Sequence, residues 1–204
     1  DKLRAYNQIK QLAQNNELIL CAINTDKNID EEDARNALKH YCNSIHFFNV
    51  GKMSILTNLA KAFLNGLPMQ CGYFYNKRIH KEIRKLIEQH NPDMLFGQLL
   101  RVAEYIRYEK TPKTIDYQDV FSMGMKRRLD IAPLYLKPFF KMEYNRLKRY
   151  EHDIFDDFDI KTIISKQDRD LVDHHKKDEI LIVPNGVDHE YYSPQNQEKR
   201  YDIV

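Results

Sequence analysis

The residues whose types could do chemistry stand singly, each just after a short apolar run. Asn24 and Asp26 follow residues 17–23, Asn49 and Gly51 follow 44–48, and Gln98 and Arg101 follow 94–96. Asp116 and Asp119 close the run at 114–116, Ser165 follows 160–164, and Asn185 follows 180–183. Amides, carboxylates, a hydroxyl and a guanidinium in such places can bind a hydroxyl-rich ligand or an anion. Each alone reads as well as a loop residue or a helix cap. Other chemistries leave no mark: the 6 glycines form neither GxGxxG nor GxxxxGK[ST], and HExxH and GxSxG are absent. The 8 histidines are scattered, with His174-His175 in a charged run, so the sequence lends no support to a metal centre.

The elements that must position these residues alternate. Apolar residues at Leu3, Tyr6, Ile9, Leu12 and Ala13 predict a helix over 2–13 with Asp1 as its cap. Strand-type runs at 17–23, 44–48, 94–96, 114–116, 160–164 and 180–183 are separated by helical periodicity at 30–41, 52–64, 76–90, 99–108, 133–158 and 167–173. Short strands spaced by helices predict an α/β, Rossmann-like domain, a parallel sheet with helices on both faces. In such a sheet ligands gather beyond the carboxyl ends of the strands, where every residue named above falls. Pro184 ends the last strand, which reads as buried, and Asn185-Gly186 supplies a turn where positive φ is cheap.

With 204 residues the chain suffices for one or two domains, and we expect one over 1–188 and a charged linker over 189–204 that leads into a further domain. A start at Asp1, already in helical periodicity, implies residues upstream. Lys plus Arg is 32 against Asp plus Glu 30, so bulk charge gives no argument for nucleic acid, and none is expected as a partner. Cys21, Cys42 and Cys71 lack CxxC spacing and sit in or beside apolar runs, which reads as buried free thiols in a reducing, cytoplasmic setting. No apolar run approaches the ~20 residues that span a bilayer. Two basic helix faces stand out, Lys77, Arg78, Lys81, Arg84 and Lys85 on one helix and Lys137, Lys141 and Lys148 on another. Such faces suit peripheral contact with the inner face of a membrane, or a plain solvated exterior balanced by Glu82, Glu88 and Glu143.

Ile163-Ile164-Ser165-x-x-Asp168, followed after about fifteen residues by Val183-Pro184-Asn185-Gly186-Val187-Asp188, resembles glycosyltransferase family 4, the retaining GT-B enzymes. Asp1-Lys2-Leu3-Arg4 is similar to the segment after that family's glycine-rich first loop, and Pro92-Asp93-Met94-Leu95-Phe96 to its "PDv" strand. Residues 116–122 resemble the D-x-x-D-x-x-S loop of the branch associated with exopolysaccharide synthesis. The resemblance implies transfer of a sugar, with retention, from a nucleotide-sugar donor to a saccharide or lipid-linked acceptor in surface polysaccharide synthesis. It implies no cofactor and no metal, and an acceptor-side domain that is inactive without its donor-binding partner domain. The first strand, the glycine-rich loop and the donor domain's paired glutamates are not in the sequence. Where many members have a histidine, this chain has Gln98, so no histidine role carries over and the catalytic residues stay unassigned. The binding candidates are Lys2, Arg4, Gln98, Arg101, Asp116, Asp119, Ser165, Asn185 and Gly186. Lys2 and Arg4 oppose the dipole of the first helix, a penalty that an anion in the cleft would offset; simple solvent exposure is the equal alternative for both. A second reading keeps the fold and drops the catalysis: a Rossmann-like binding module whose basic helices contact an anionic partner or membrane.

Overall fold

The computed structural model describes residues 2–26 and 28–187. Asp1, Lys27, Asp188 and the linker expected over 189–204 lie outside the described residues. The chain runs α1 (Lys2–Leu12), β1 (Ile19–Asn24), α2 (Glu31–Leu38), β2 (Ser44–Asn49), α3 (Lys52–Asn65), α4 (Met69–Phe74), α5 (Lys77–His90) and β3 (Leu95–Gln98). It continues through α6 (Ala103–Ile106), β4 (Lys113–Asp116), α7 (Phe121–Ile131), α8 (Lys137–Asp153), β5 (Ile160–Ile163), α9 (Lys166–Leu171) and β6 (Leu181–Ile182). This is the Rossmann-like α/β fold that the alternation predicts.

Local chemistry sets many of these boundaries. The Asp30 side chain accepts from the backbone of Glu32 and Asp33 to start α2, and Asn76 does the same for Arg78 and Ile79 to start α5. Gly66 (φ 74°) and Asn91 (φ 42°) end α3 and α5 in the left-handed region. α4 and α7 begin at Pro68 and Val120, neither of which supplies a capping side chain. Two glutamates two turns apart on α8 do so instead. A Glu143 carboxylate oxygen accepts from the Gln70 N–H at 3.4 Å, and one of Glu151 accepts from the Ser122 N–H at 3.0 Å. Both carboxyls are buried and their pKa values rise for that reason, Glu151 to about 7.

All strand pairs are parallel, but they form two sheets, β1-β2 and β3-β4-β5-β6, where a single sheet was expected. Among the described residues β1 and β3 each pair on one side only, so the ladder breaks between them. The core sits on the larger sheet. Leu95, Ile115 and Ile163 pack with Ile79 and Ile83 of α5, Tyr105 and Ile106 of α6, and Leu147 and Tyr150 of α8. Each such side chain contributes roughly 1.5–3 kcal/mol by leaving water.

Three expectations are corrected. The last strand is not buried: β6 is an edge strand with Leu181 56% and Ile182 39% exposed, and only Ile180 before it enters the core. The helix expected over 99–108 splits into a 3-10 turn at Leu100–Val102 and α6, and the one over 133–158 starts at Lys137 and gives way to a 3-10 turn at Phe155–Asp157. The apolar stripe of α1 forms its inner face only in part. Ile9 and Ala13 are half-buried together with Arg4, Ala5 and Gln8, but Leu3, Tyr6 and Leu12 are exposed, because the helix docks largely through polar side chains.

Candidate functional site

The carboxyl edge of the larger sheet carries a hydrogen-bonded network centred on Asp116, the last residue of β4, which is fully buried. Arg4 reaches it from α1 in a two-pronged contact, Nε to Oδ2 at 3.1 Å and Nη2 to Oδ1 at 3.2 Å. Gln8, one turn further along the helix, donates to Oδ2 at 3.0 Å, and Thr162 of β5 donates to Oδ1 at 2.8 Å. Thr162 stands opposite Asp116 in the ladder, so sheet register places it there. Gln98 at the end of β3 donates to the Gln8 side chain at 2.8 Å. Arg4 Nη1 donates to the Asn185 side-chain oxygen at 2.8 Å and so holds the turn after β6 against α1. With four bonds accepted the Asp116 carboxylate is saturated, and its role is to fix these segments rather than to orient a ligand hydroxyl.

Beside this network the strand-end loops hold two strained residues. Leu99 after β3 has φ 69° and ψ 148°, a region that L-residues with a Cβ avoid, and its N–H is held by the Asp116 carbonyl at 2.9 Å. Gln118 after β4 has φ 62° and lies at the centre of a γ-turn closed by the Asp119 N–H on the Tyr117 carbonyl at 2.8 Å. Gln118 is buried and its side-chain nitrogen has no partner among the described residues. Strain on neighbouring strand ends at one edge is a mark of functional sites.

Arg101 stands next to these loops. Its guanidinium carbon lies 5.1 Å from the ring centroids of both Phe74 and Phe121. Its Nε is buried without a partner and Nη2 makes only a long 3.5 Å bond to Gln70. Burial lowers its pKa, which the charge of Asp119 partly offsets. Asp119 is shifted the other way, its carboxyl raised by partial desolvation and by the Asp168 charge, with Arg101 and Arg127 opposing. A guanidinium held between rings with an unused donor, next to an exposed carboxyl, can take an anion on one side and a hydroxyl on the other.

The sequence-predicted residues divide accordingly. Arg4, Gln98, Asp116 and Asn185 meet in one network, but they satisfy one another. Arg101 and Asp119 lie together and retain free capacity. Asp119, for which a helix cap was the alternative to a ligand contact, does not cap α7; Val120 is the first flanking residue and Glu151 supplies the acceptor. Ser165 caps α9: its hydroxyl accepts from the Asp168 N–H at 3.1 Å and donates to the Asp168 carboxylate at 2.5 Å. Lys2 is exposed and enters no side-chain bond among the described residues. Gly186 is exposed, and neither it nor Asn185 adopts the positive φ expected of that turn, since the Asn185 side chain is drawn to Arg4 instead. Of the lysines on the long basic helix, Lys148 pairs with Asp173 at 3.2 Å, leaving Lys137 and Lys141 without ion pairs among the described residues.

Gln8, Thr162, Gln118 and the two phenylalanines were not singled out in the sequence. Only Gln8 carried a signal, its position one turn after Arg4. Two cavities, of about 460 and 450 Å³, lie away from this edge and are lined by none of the nine candidates. Among the described residues no cluster of metal-ligating side chains occurs and no helix is long and apolar enough to cross a membrane. The three cysteines are free thiols, and burial pushes Cys21 up to about 11. The fold therefore defines a class, the Rossmann-like α/β proteins. Beyond that class, no protein-family model, curated protein or solved structure matches the chain.

Proposed function

We propose that the chain forms the acceptor-side wall of a retaining glycosyltransferase that moves a sugar from a nucleotide donor to a saccharide or lipid-linked acceptor in surface polysaccharide synthesis. The observation that carries the reading is the bond from Asn185 to Arg4 and on to Asp116. It joins three segments that resemble family motifs, 181 and 112 residues apart in sequence, at the carboxyl edge where such a sheet binds ligands. On this reading those three residues set the shape of the wall. Arg101 meets a charged group of donor or acceptor, and Asp119 accepts a hydrogen bond from the acceptor hydroxyl. That hydroxyl attacks the anomeric carbon on the face the diphosphate leaves, and fixed donors stabilise the leaving charge.

The test uses the full-length protein with a panel of nucleotide sugars. The true donor raises the melting temperature by mass action and is consumed in the presence of a membrane-lipid or saccharide extract. Arg101→Ala lowers kcat/KM about 100-fold while leaving the unfolding midpoint near that of the parent. If no nucleotide sugar stabilises the protein or is turned over, the reading is wrong.

A further inference from the structure

α7 leaves the carboxyl end of β4, turns over at residues 132–136 and returns as α8, with Glu151 near the end of α8 bonded to Ser122 at the start of α7. The two helices are thus an antiparallel hairpin whose tip points away from that bond. The tip reads Ile131-Ala132-Pro133-Leu134-Tyr135-Leu136, closed by the Leu136 N–H on the Pro133 carbonyl at 2.9 Å. Turns of this kind ordinarily use glycine, asparagine, aspartate or serine, which water solvates. Here Ile131, Leu134 and Tyr135 are 86%, 83% and 80% exposed, and Phe139 in the first turn of α8 is also exposed. Lys126, Arg127, Arg128, Lys137 and Lys141 flank them, with Asp130 the single carboxylate within residues 126–141, although Arg127 also feels the charge of Asp119. None of these cations is in an ion pair among the described residues.

We propose that this tip docks the protein on an anionic lipid bilayer, with Ile131, Leu134 and Tyr135 entering the headgroup and upper acyl region and the five cations meeting lipid phosphates. The inference does not rest on the transferase reading. Charge complementarity selects a negatively charged partner, and shape selects lipid over an acidic protein. Apolar side chains that protrude around a turn fit a fluid interface, whereas a protein partner would need a pocket to receive each of them. Tyrosine at the rim and lysine or arginine just outside the apolar residues follow the ordering of a membrane interface. Because α7 rises from the carboxyl end of β4, docking holds the carboxyl edge, with Arg101 and Asp119, toward the lipid.

Co-sedimentation of the full chain with vesicles tests this. Phosphatidylcholine vesicles containing phosphatidylglycerol should bind the protein, pure phosphatidylcholine vesicles much less, and high salt should weaken the binding. Leu134→Ser with Tyr135→Ser should lower the partition coefficient at least about tenfold with an unchanged melting temperature, since both side chains are exposed. Lys126→Gln, Arg127→Gln and Arg128→Gln together should lower it by a similar factor and remove most of the salt dependence. Failure of the parent protein to bind the anionic vesicles overturns the proposal, as does full binding by the tip variant. Self-association of the parent that the tip variant loses, without vesicle binding, would assign the tip to a second copy of the chain instead.

Discussion

Replacing Glu151 by glutamine should flatten the pH dependence of stability between about pH 5 and pH 8. Burial raises the Glu151 carboxyl to about 7 from its ordinary 4.5, against the pull of the Ser122 side chain and the Ser122 and Phe121 N–H groups. Between those two values the folded protein holds a proton that the unfolded chain has released. Stability from this group is therefore fully present below about pH 4.5 and is lost as pH rises through about 7. A gap of roughly 2.5 units at about 1.4 kcal/mol per unit makes the full loss about 3–4 kcal/mol. Glutamine keeps an oxygen toward the Ser122 N–H and never ionises. Urea unfolding of the parent and of Glu151→Gln at pH 5, 6, 7 and 8, followed by circular dichroism because the chain has 0 tryptophans, reads the effect directly. The two should lie close at pH 5 and separate to about 3 kcal/mol in favour of the variant at pH 8. A constant offset across the series would refute the reasoning, because the proton would then be uncoupled from folding.

Other perturbations test other parts of the structure. Asp116→Ala, which strands Arg4, Gln8 and Thr162, should cost about 3–5 kcal/mol in urea unfolding; a loss below about 1 kcal/mol would mean that α1 swings out freely. A Cβ at Gly72 would overlap that of Ala62 across the α3–α4 contact. Gly72→Ala should therefore destabilise by about 1–3 kcal/mol, and Ala62→Gly in the same chain should restore much of it. Gln118→Gly should relieve the positive φ and remove a buried amide without a partner, raising the urea midpoint, whereas Gln118→Val should lower it by more. The opposite order would show that the Gln118 side chain, not its backbone, holds that loop.

The fold class could be read from residues whose information is local. The ranges 30–41, 52–64 and 76–90 match α2, α3 and α5 because their ends are set locally, by Asp30 and Asn76 as caps and Gly66 and Asn91 as stops, which depend on a few neighbouring atoms. The inner face of α1 could not. Its periodicity nominates Leu3, Tyr6, Ile9, Leu12 and Ala13, but a buried carboxylate 112 residues away draws in Arg4 and Gln8 and leaves only Ile9 and Ala13 of that stripe facing inward. The start of α7 was hidden for the same reason, since its capping oxygen belongs to Glu151 on another helix. At the candidate site, strand-end logic found Gln98, Arg101, Asp116, Asp119 and Asn185 by position, while Arg4, in the first helix, was nominated only by the family resemblance. It could not tell which of them satisfy one another, because that depends on register between strands distant in sequence.

The polar docking of α1 also bears on the order in which the protein assembles and comes apart. The helix has no fully buried residue, and its main anchor is the Arg4 and Gln8 contact with Asp116, a site complete only once β4 and β5 have paired. Loops of 112 and 181 residues must close before that contact and the one to Asn185 exist. α1 should therefore fold onto the sheet late. In the native state it should detach as a unit at a free-energy cost well below that of global unfolding. Its amide hydrogens would then exchange with solvent far faster than those of β4, whatever the stability of the core beneath.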